Sequence, residues 1–161
     1  MASIERMTDL SGFDGTETGL LPEAGGPRYL VARSAGQQVA IPLEETREII
    51  AVKSLTRLPG APAWVAGLLN LRGSVLTVID LDVRLGGASA VGPVIVVELE
   101  GRMFGLRVTE VLAVQTATAA PGPVEAARSA EGVVSGMVPV GASAALVLDV
   151  AALQHSALAE R

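Results

Sequence analysis

Cysteine is absent from the 161-residue chain, which excludes disulfide bridges, thiolate nucleophiles and cysteine metal sites and fits a reducing compartment. Aromatic side chains are almost as scarce, with two Phe, one Trp and one Tyr. A core must therefore be built from Val, Leu, Ile and Ala, a composition that favours strands where Val and Ile cluster. The same scarcity removes the stacking platforms that single-stranded nucleic acids use. Lys and Arg together number 12 against 17 Asp and Glu, and they form no basic stripe, so no nucleic-acid partner is expected.

Catalytic equipment is equally thin. His155 is the only histidine; it follows the last apolar strand and is read as an exposed tail residue. No phosphate-binding glycine loop followed by Lys occurs, and no paired-histidine metal motif. GASAA (141–145) lacks the glycine that would complete a nucleophile elbow. Asp80 and Asp82 alternate at a strand end and read as a helix cap and a solvated side chain rather than a metal site. The expectation is a chain with no catalytic residue, no metal and no cofactor. Long apolar runs are missing too. The N-terminus has early acids and nothing of signal-peptide length, and the most apolar stretch, VAGLLNLRGSVLTVIDL (65–81), is interrupted by Asn70 and Arg72. A soluble, cytoplasmic protein without direct membrane insertion is expected.

What is present is an apolar chain, 50% hydrophobic by residue, of a length that suits one domain or two small ones sharing a core. Residues 1–27 hold Glu5, Asp9, Asp14, Glu17 and Glu23 against Arg6 alone, and are read as a disordered acidic tail. From Arg28 the segments are short and β-like. RYLVAR (28–33), a SAG turn and QQVAIPL (37–43) read as a hairpin, EETREIIAV (44–52) as either a helical turn or a strand, and SVLTVIDL (74–81) as a strand. PVIVVELEGRMFGLRVTEVLAV (93–114) repeats strand, turn, strand. A long connection follows at 115–132, then the strand AALVLDV (144–150), with the final residues able to form a helix.

The list contains a repeat. LVARSAGQQVAI (30–41) aligns with IVVELEGRMFGL (95–106), Gly36 falling on Gly101. TVIDLDVRL (77–85) resembles LVLDVAAL (146–153), with Asp80 and Asp149 each placed to cap a short helix. Two similar halves, roughly 28–90 and 91–150, predict two small barrels that pack on each other because each alone buries too little surface.

The halves differ at Arg72. GLLNLRGSV precedes the final strand of the first half, whereas the matching GVVSGMVPVG has no arginine. Gly73 and Gly67 read as positions of positive φ or close backbone approach. Arg72 itself has two readings: a salt bridge or a guanidinium lying along the barrel edge, or an exposed arginine rimmed by Trp64, Leu68, Leu69 and Leu71, the composition of a protein-binding hot spot.

The order and spacing of RYLVARSAGQQVAIPLEETREII and LPGAPAWVAGLLNLRGSVLTVIDL, and above all the Gly67, Asn70, Leu71, Arg72, Gly73 run before a strand ending in Asp80-Leu81, resemble the CheW-like domain of bacterial chemosensory systems. The resemblance covers about 28–153 and leaves 154–161 as a C-terminal tail. It implies an all-β fold of two intertwined five-stranded Src-homology-3-like barrels with short helices. It implies a non-catalytic adaptor that couples the cytoplasmic tips of methyl-accepting chemoreceptors to a CheA-type histidine kinase at membrane-associated arrays. It also implies a receptor-binding surface at Arg72, Glu48 and Thr46, and a receptor and kinase contact surface shaped by Gly67 with Leu68 and Asn70. Two alternatives stand beside it: a relative that binds receptor without recruiting kinase, and a small β-barrel in which Arg72 clamps an anion. The chain departs from the family's pattern at Thr46, where an apolar residue is frequent, and at Arg107-Val108-Thr109, where an apolar pair followed by Asp is common.

Overall fold

A computed structural model describes residues 4–9, 26–89, 91–124 and 132–159. Among the described residues the chain forms eleven strands: β1 (Ile4–Asp9), β2 (Arg28–Ser34), β3 (Gln37–Pro42), β4 (Thr46–Val52), β5 (Val65–Leu71), β6 (Ser74–Asp80), β7 (Val94–Leu99), β8 (Arg102–Arg107), β9 (Glu110–Thr116), β10 (Val134–Val140) and β11 (Ser143–Leu148). Helices α1 (Leu81–Arg84) and α2 (Val150–Ala159) follow β6 and β11. The ambiguous segment 44–52 resolves into a 3-10 turn, Leu43–Glu45, and the strand β4.

The strands lie in two sheets, ordered β1-β4-β7-β8-β6-β5 and β10-β11-β3-β2-β9. Without β1, the orders 4-7-8-6-5 and 9-2-3-11-10 are the same topology, which realises the sequence repeat. The first sheet closes on itself where Thr56, just beyond β4, bridges Leu68 of β5; the second closes where Gly122, beyond β9, bridges Met137 of β10. The sheets do not divide the chain at residue 90. Hairpin β2–β3 joins β9, β10 and β11, while β7–β8 joins β4, β5 and β6, so each half lends its neighbour a hairpin or receives one. Parallel pairs β3–β11 and β6–β8 make the joins.

Burial explains why these hairpins read as nearly continuous apolar runs. Tyr29, Val31 and Ala40 fill the interior of the second barrel with Val138, Val140, Ala145 and Val147. Their alternates Leu30, Ala32, Val39 and Ile41 enter a core shared with Ile79, Ile95, Val97, Phe104 and Leu106. Val94 and Val96 in turn face Ile50, Leu69, Leu71 and Val78 inside the first barrel. A strand buried on both faces has no polar side to show. Gly105 follows from this: a Cβ there would stand 2.7 Å from a Val94 methyl and 3.1 Å from a Val78 methyl.

Turn chemistry agrees with the pairing. The β2–β3 and β7–β8 turns place Ala35-Gly36 and Glu100-Gly101 at positive φ on both central residues, the backbone of a two-residue turn whose twist suits a hairpin. Both helices are capped as expected, Asp80 Oδ1 accepting from Val83 N at 3.2 Å and Asp149 Oδ1 from Ala152 N at 3.1 Å. Gly67 is where the first barrel shuts. Its φ is +149°, and a Cβ would stand 2.6 Å from the Thr56 carbonyl oxygen and 2.9 Å from Leu55 Cβ.

Structure extends into both terminal segments, and Asp82 is turned inward. Within the tail expected at 1–27, β1 pairs with β4; residues 1–3 and 10–25 lie outside the described residues. The C-terminal tail expected at 154–161 begins inside α2, where Ala157 is buried and Gln154 Nε2 donates to the carbonyls of Leu99 and Arg102 at 3.0 and 3.2 Å. Asp82 is buried rather than solvated: it accepts from the Ser34 hydroxyl and, at 2.6 Å, from Thr109 Oγ1, so one carboxylate ties the β2–β3 turn, α1 and the start of β9 together. The low polarity of the surrounding core makes such a satisfied group stiff and an unsatisfied one costly.

Burial holds the Glu45 carboxyl above its ordinary value of 4.5, and Glu44 and Asp149 push the same way while Arg47 pulls against them. The stabilising proton is present at low pH and lost as pH rises through the raised value. Glu45→Gln should therefore lessen the decline in melting temperature that begins as pH rises past the ordinary carboxylate value. Gly67→Ala should cost about 2–4 kcal/mol by denaturant unfolding, from clash and strained φ together, whereas Gly73→Ala, with open space around its Cβ, should cost about 1–2. Asp82→Ala should cost about 1–3 kcal/mol through two orphaned hydroxyls, and Thr109→Asp more than Thr109→Val, since it sets a second carboxylate against Asp82.

Candidate protein-docking site

The β5–β6 hairpin carries the candidate site at its tip. Leu71 pairs with Ser74 across the turn, and Arg72 and Gly73 occupy its two central positions at φ +49° and +91°. A left-handed conformation at arginine is disfavoured by roughly 1–2 kcal/mol relative to ordinary backbone. The turn holds it through Asn70, whose Oδ1 accepts from Gly73 N at 3.1 Å, the local side-chain bond that lets asparagine shape such turns. Asn70 is thus a turn-building residue, half-buried at the base of the tip.

From this turn the Arg72 side chain crosses to β4 and its Nη2 donates to Glu48 Oε2. The pair is lopsided: the arginine side chain is 58% exposed and the glutamate side chain 4%. Glu48 sits at a bulge in the β4–β7 pairing, and the buried carboxylate acts as an anchor for a guanidinium whose outer face meets solvent. Arg72 is thus at once salt-bridged and open to solvent.

The apolar rim differs from expectation. Alternation along β5 turns Leu69 and Leu71 inward to full burial, leaving Leu68 and Asn70 half-buried. Trp64 belongs to the shared core and lies under the Arg84 guanidinium at 5.0 Å, away from the hairpin tip. The exposed apolar neighbour is Val75, 62% exposed and paired in register with Asn70. Sequence reasoning missed it because SVLTVID reads as a uniformly buried strand; only its second place after the turn marks it as outside the barrel. Thr46 is buried and its Oγ1 donates to the Leu43 carbonyl at 2.8 Å, so it shapes the entry to β4 and presents nothing. Gly67 is likewise beneath the surface. Around the hairpin tip the structure places Arg72 and Val75 at the surface, Leu68 and Asn70 half-buried beside them, and Glu48 buried beneath Arg72.

Among the described residues no group of three or more His, Asp or Glu side chains is placed to hold a metal ion, and no helix is long and apolar enough to cross a membrane. A cationic tip beside an exposed apolar residue on a rigid hairpin suits recognition of a protein surface.

The CheW-like domain family model matches residues 28–157. The chain is 34% identical over 106 residues to the chemotaxis protein CheW of Rhizobium meliloti (strain 1021), covering 62% of this chain and 68% of that protein. It is 26% identical over 151 residues to the chemotaxis protein CheW of Klebsiella aerogenes, covering 88% of this chain and 89% of that one. Among solved structures, the scaffolding protein TtCheW from Thermoanaerobacter tengcongensis superposes with a TM-score of 0.70 at 23% identity, covering 78% of this chain and 90% of that one, a likeness of fold. With the two exchanged-hairpin barrels and a family match running from β2 into α2, the chain belongs to the CheW-like domain family.

Proposed function

We propose that this chain is a non-catalytic adaptor of a bacterial chemosensory array, coupling the cytoplasmic tips of methyl-accepting chemoreceptors to a CheA-type histidine kinase. The observation that carries the reading is the exposed Arg72 guanidinium, held at a strained hairpin tip by a buried Glu48 carboxylate. An arginine already fixed by its anchor loses less side-chain freedom when a partner binds. Its charge and the adjacent Val75 supply the pattern by which a polar, helical receptor tip is told from other surfaces. Kinase contact is assigned to other barrel surfaces, pairing with homologous barrels in the kinase's regulatory domain. Control then follows by linkage: receptor states that bind the adaptor and kinase differently shift the kinase equilibrium by that difference. The adaptor works in the cytoplasm and joins the membrane through its receptors.

Co-sedimentation with receptor signalling fragments and the CheA-type kinase of the same genome tests this. Wild type should bring kinase down with receptor, and Arg72→Ala, with unchanged circular dichroism, should weaken receptor binding about tenfold or more. Retention of receptor without kinase would make the chain a receptor-only relative; binding of neither would remove the adaptor reading. Glu48→Gln separates anchor from contact: the fold should survive, while receptor affinity falls by less than in Arg72→Ala, because the guanidinium remains but is no longer held.

A further inference from the structure

The two barrels repeat each other closely enough to be compared position by position. In β4, Thr46 pairs with Val97 and Glu48 with Val96, leaving Arg47 over as a bulge. In β9, Val111 pairs with Ala32 and Ala113 with Val31, leaving Leu112 over in the same way. Val96 and Val97 answer to Val31 and Ala32 in the sequence repeat, so Ala113 stands where the first barrel has Glu48. The hairpin tips match as well. Leu71 faces Ser74 and Val140 faces Ser143, which puts Gly141 where the first barrel has Arg72.

The ion pair beside the first bulge is therefore replaced, in the second barrel, by two residues with no charge and almost no bulk. The change runs along the whole face: no Asp, Glu, Lys or Arg occurs at 111–124 or 132–148. Leu112, Ala113 and Thr116 are exposed. A groove of about 600 Å³, lined by Gly26, Pro27 and residues 116–120, lies at the far end of the strand. Depletion of charge around exposed apolar groups is the mark of the centre of a protein interface.

The first barrel demonstrates what an edge of this geometry holds. β1 pairs with β4 from Glu48 to Val52, beginning just beyond the bulge, and these positions correspond to 113–117. β9 pairs with β2 on one side, and among the described residues no strand lies on the other. Neither a charge nor a proline occurs at 111–117, so two devices that commonly blunt a free edge are missing. A strand added here gains main-chain hydrogen bonds. It must be uncharged, because this face offers no counter-charge in place of lost hydration. The small side chains of Ala113, Ala117, Ala119 and Ala120 leave room for bulky apolar ones.

We propose that the β9 edge, residues 113–117, is a second docking surface, which takes an extended, uncharged segment of a partner protein as an added antiparallel strand. The surface is independent of Arg72, and the adaptor reading can fail without affecting it.

The probe is a synthetic six-residue peptide alternating valine and threonine, blocked at both ends, with a counterpart in which glutamate replaces each threonine. In the full chain, saturating uncharged peptide should slow hydrogen exchange about tenfold at the alternate amides of 113–117 that point away from β2. Amides of 48–52 should not respond, and the charged counterpart should bind at least about tenfold more weakly. Ala113→Glu and Thr116→Glu, both at exposed positions, should each weaken the uncharged peptide about tenfold with unchanged circular dichroism. Unchanged exchange at 113–117, equal binding of the two peptides, or full binding by both variants would overturn the proposal. So would protection of the same amides in the peptide-free chain: rising with protein concentration, it would assign the edge to a second copy, and at constant strength to the chain's own fold.

Discussion

Two hairpins that must be buried on both faces govern this molecule. β2–β3 and β7–β8 each direct one set of alternate side chains into a barrel and the other set into the core between the barrels. Nonpolar surface on both sides leaves such a hairpin no stable position at the edge of a lone sheet. The exchange between halves satisfies the requirement, since each hairpin completes one barrel while its back face lies against the other. The tight packing around Gly105 belongs to the same constraint. The consequence for the candidate site is mechanical: β4, β5 and β6 are held in one packed body, and the Arg72 tip of β5–β6 is bonded back onto it through Glu48 of β4.

The resulting surface is specified by a few polar bonds. Glu48 is buried behind Arg72, Asn70 ties the turn, and Asp82 locks the junction of the two barrels. Thr109 suits that junction. Asp82 already lies between Ser34 and residue 109, where a second carboxylate would repel it and threonine supplies a donor.

Much of this architecture was legible from periodicity and turn residues. The duplication appeared in aligned strands and in the Gly36 and Gly101 turns, and Asp80 and Asp149 announced their caps because strand-to-helix junctions need an acceptor for exposed N–H groups. The exchange of hairpins was implied by family resemblance rather than by local pattern, since a doubly buried strand looks the same whichever barrel receives it. Arg72 stood out because only one half carries it. Asp82 was read as solvated because a polar residue in an apolar chain was taken to face water, whereas its partners lie inside, and the burial of Thr46 left no trace in the local pattern. Val75 went unnoticed for the converse reason, and β1 because IERMTD lacks the apolar alternation of a strand that earns its place by burial.

The order of strands along the chain has a consequence for synthesis. The first barrel is a continuous stretch from β4 to β8, while the second is interrupted by it, with β2–β3 before and β9 to β11 after. On the ribosome the leading hairpin emerges more than 100 residues ahead of β11, its parallel neighbour, a delay of roughly 5–20 s at common elongation rates. During that interval the inserted barrel has all its strands, and the growing chain holds an apolar hairpin without its final sheet. Docking on the finished first barrel through the shared core gives the hairpin a shelter, so the intertwining that defines the mature fold also makes its earlier half a template for its later one.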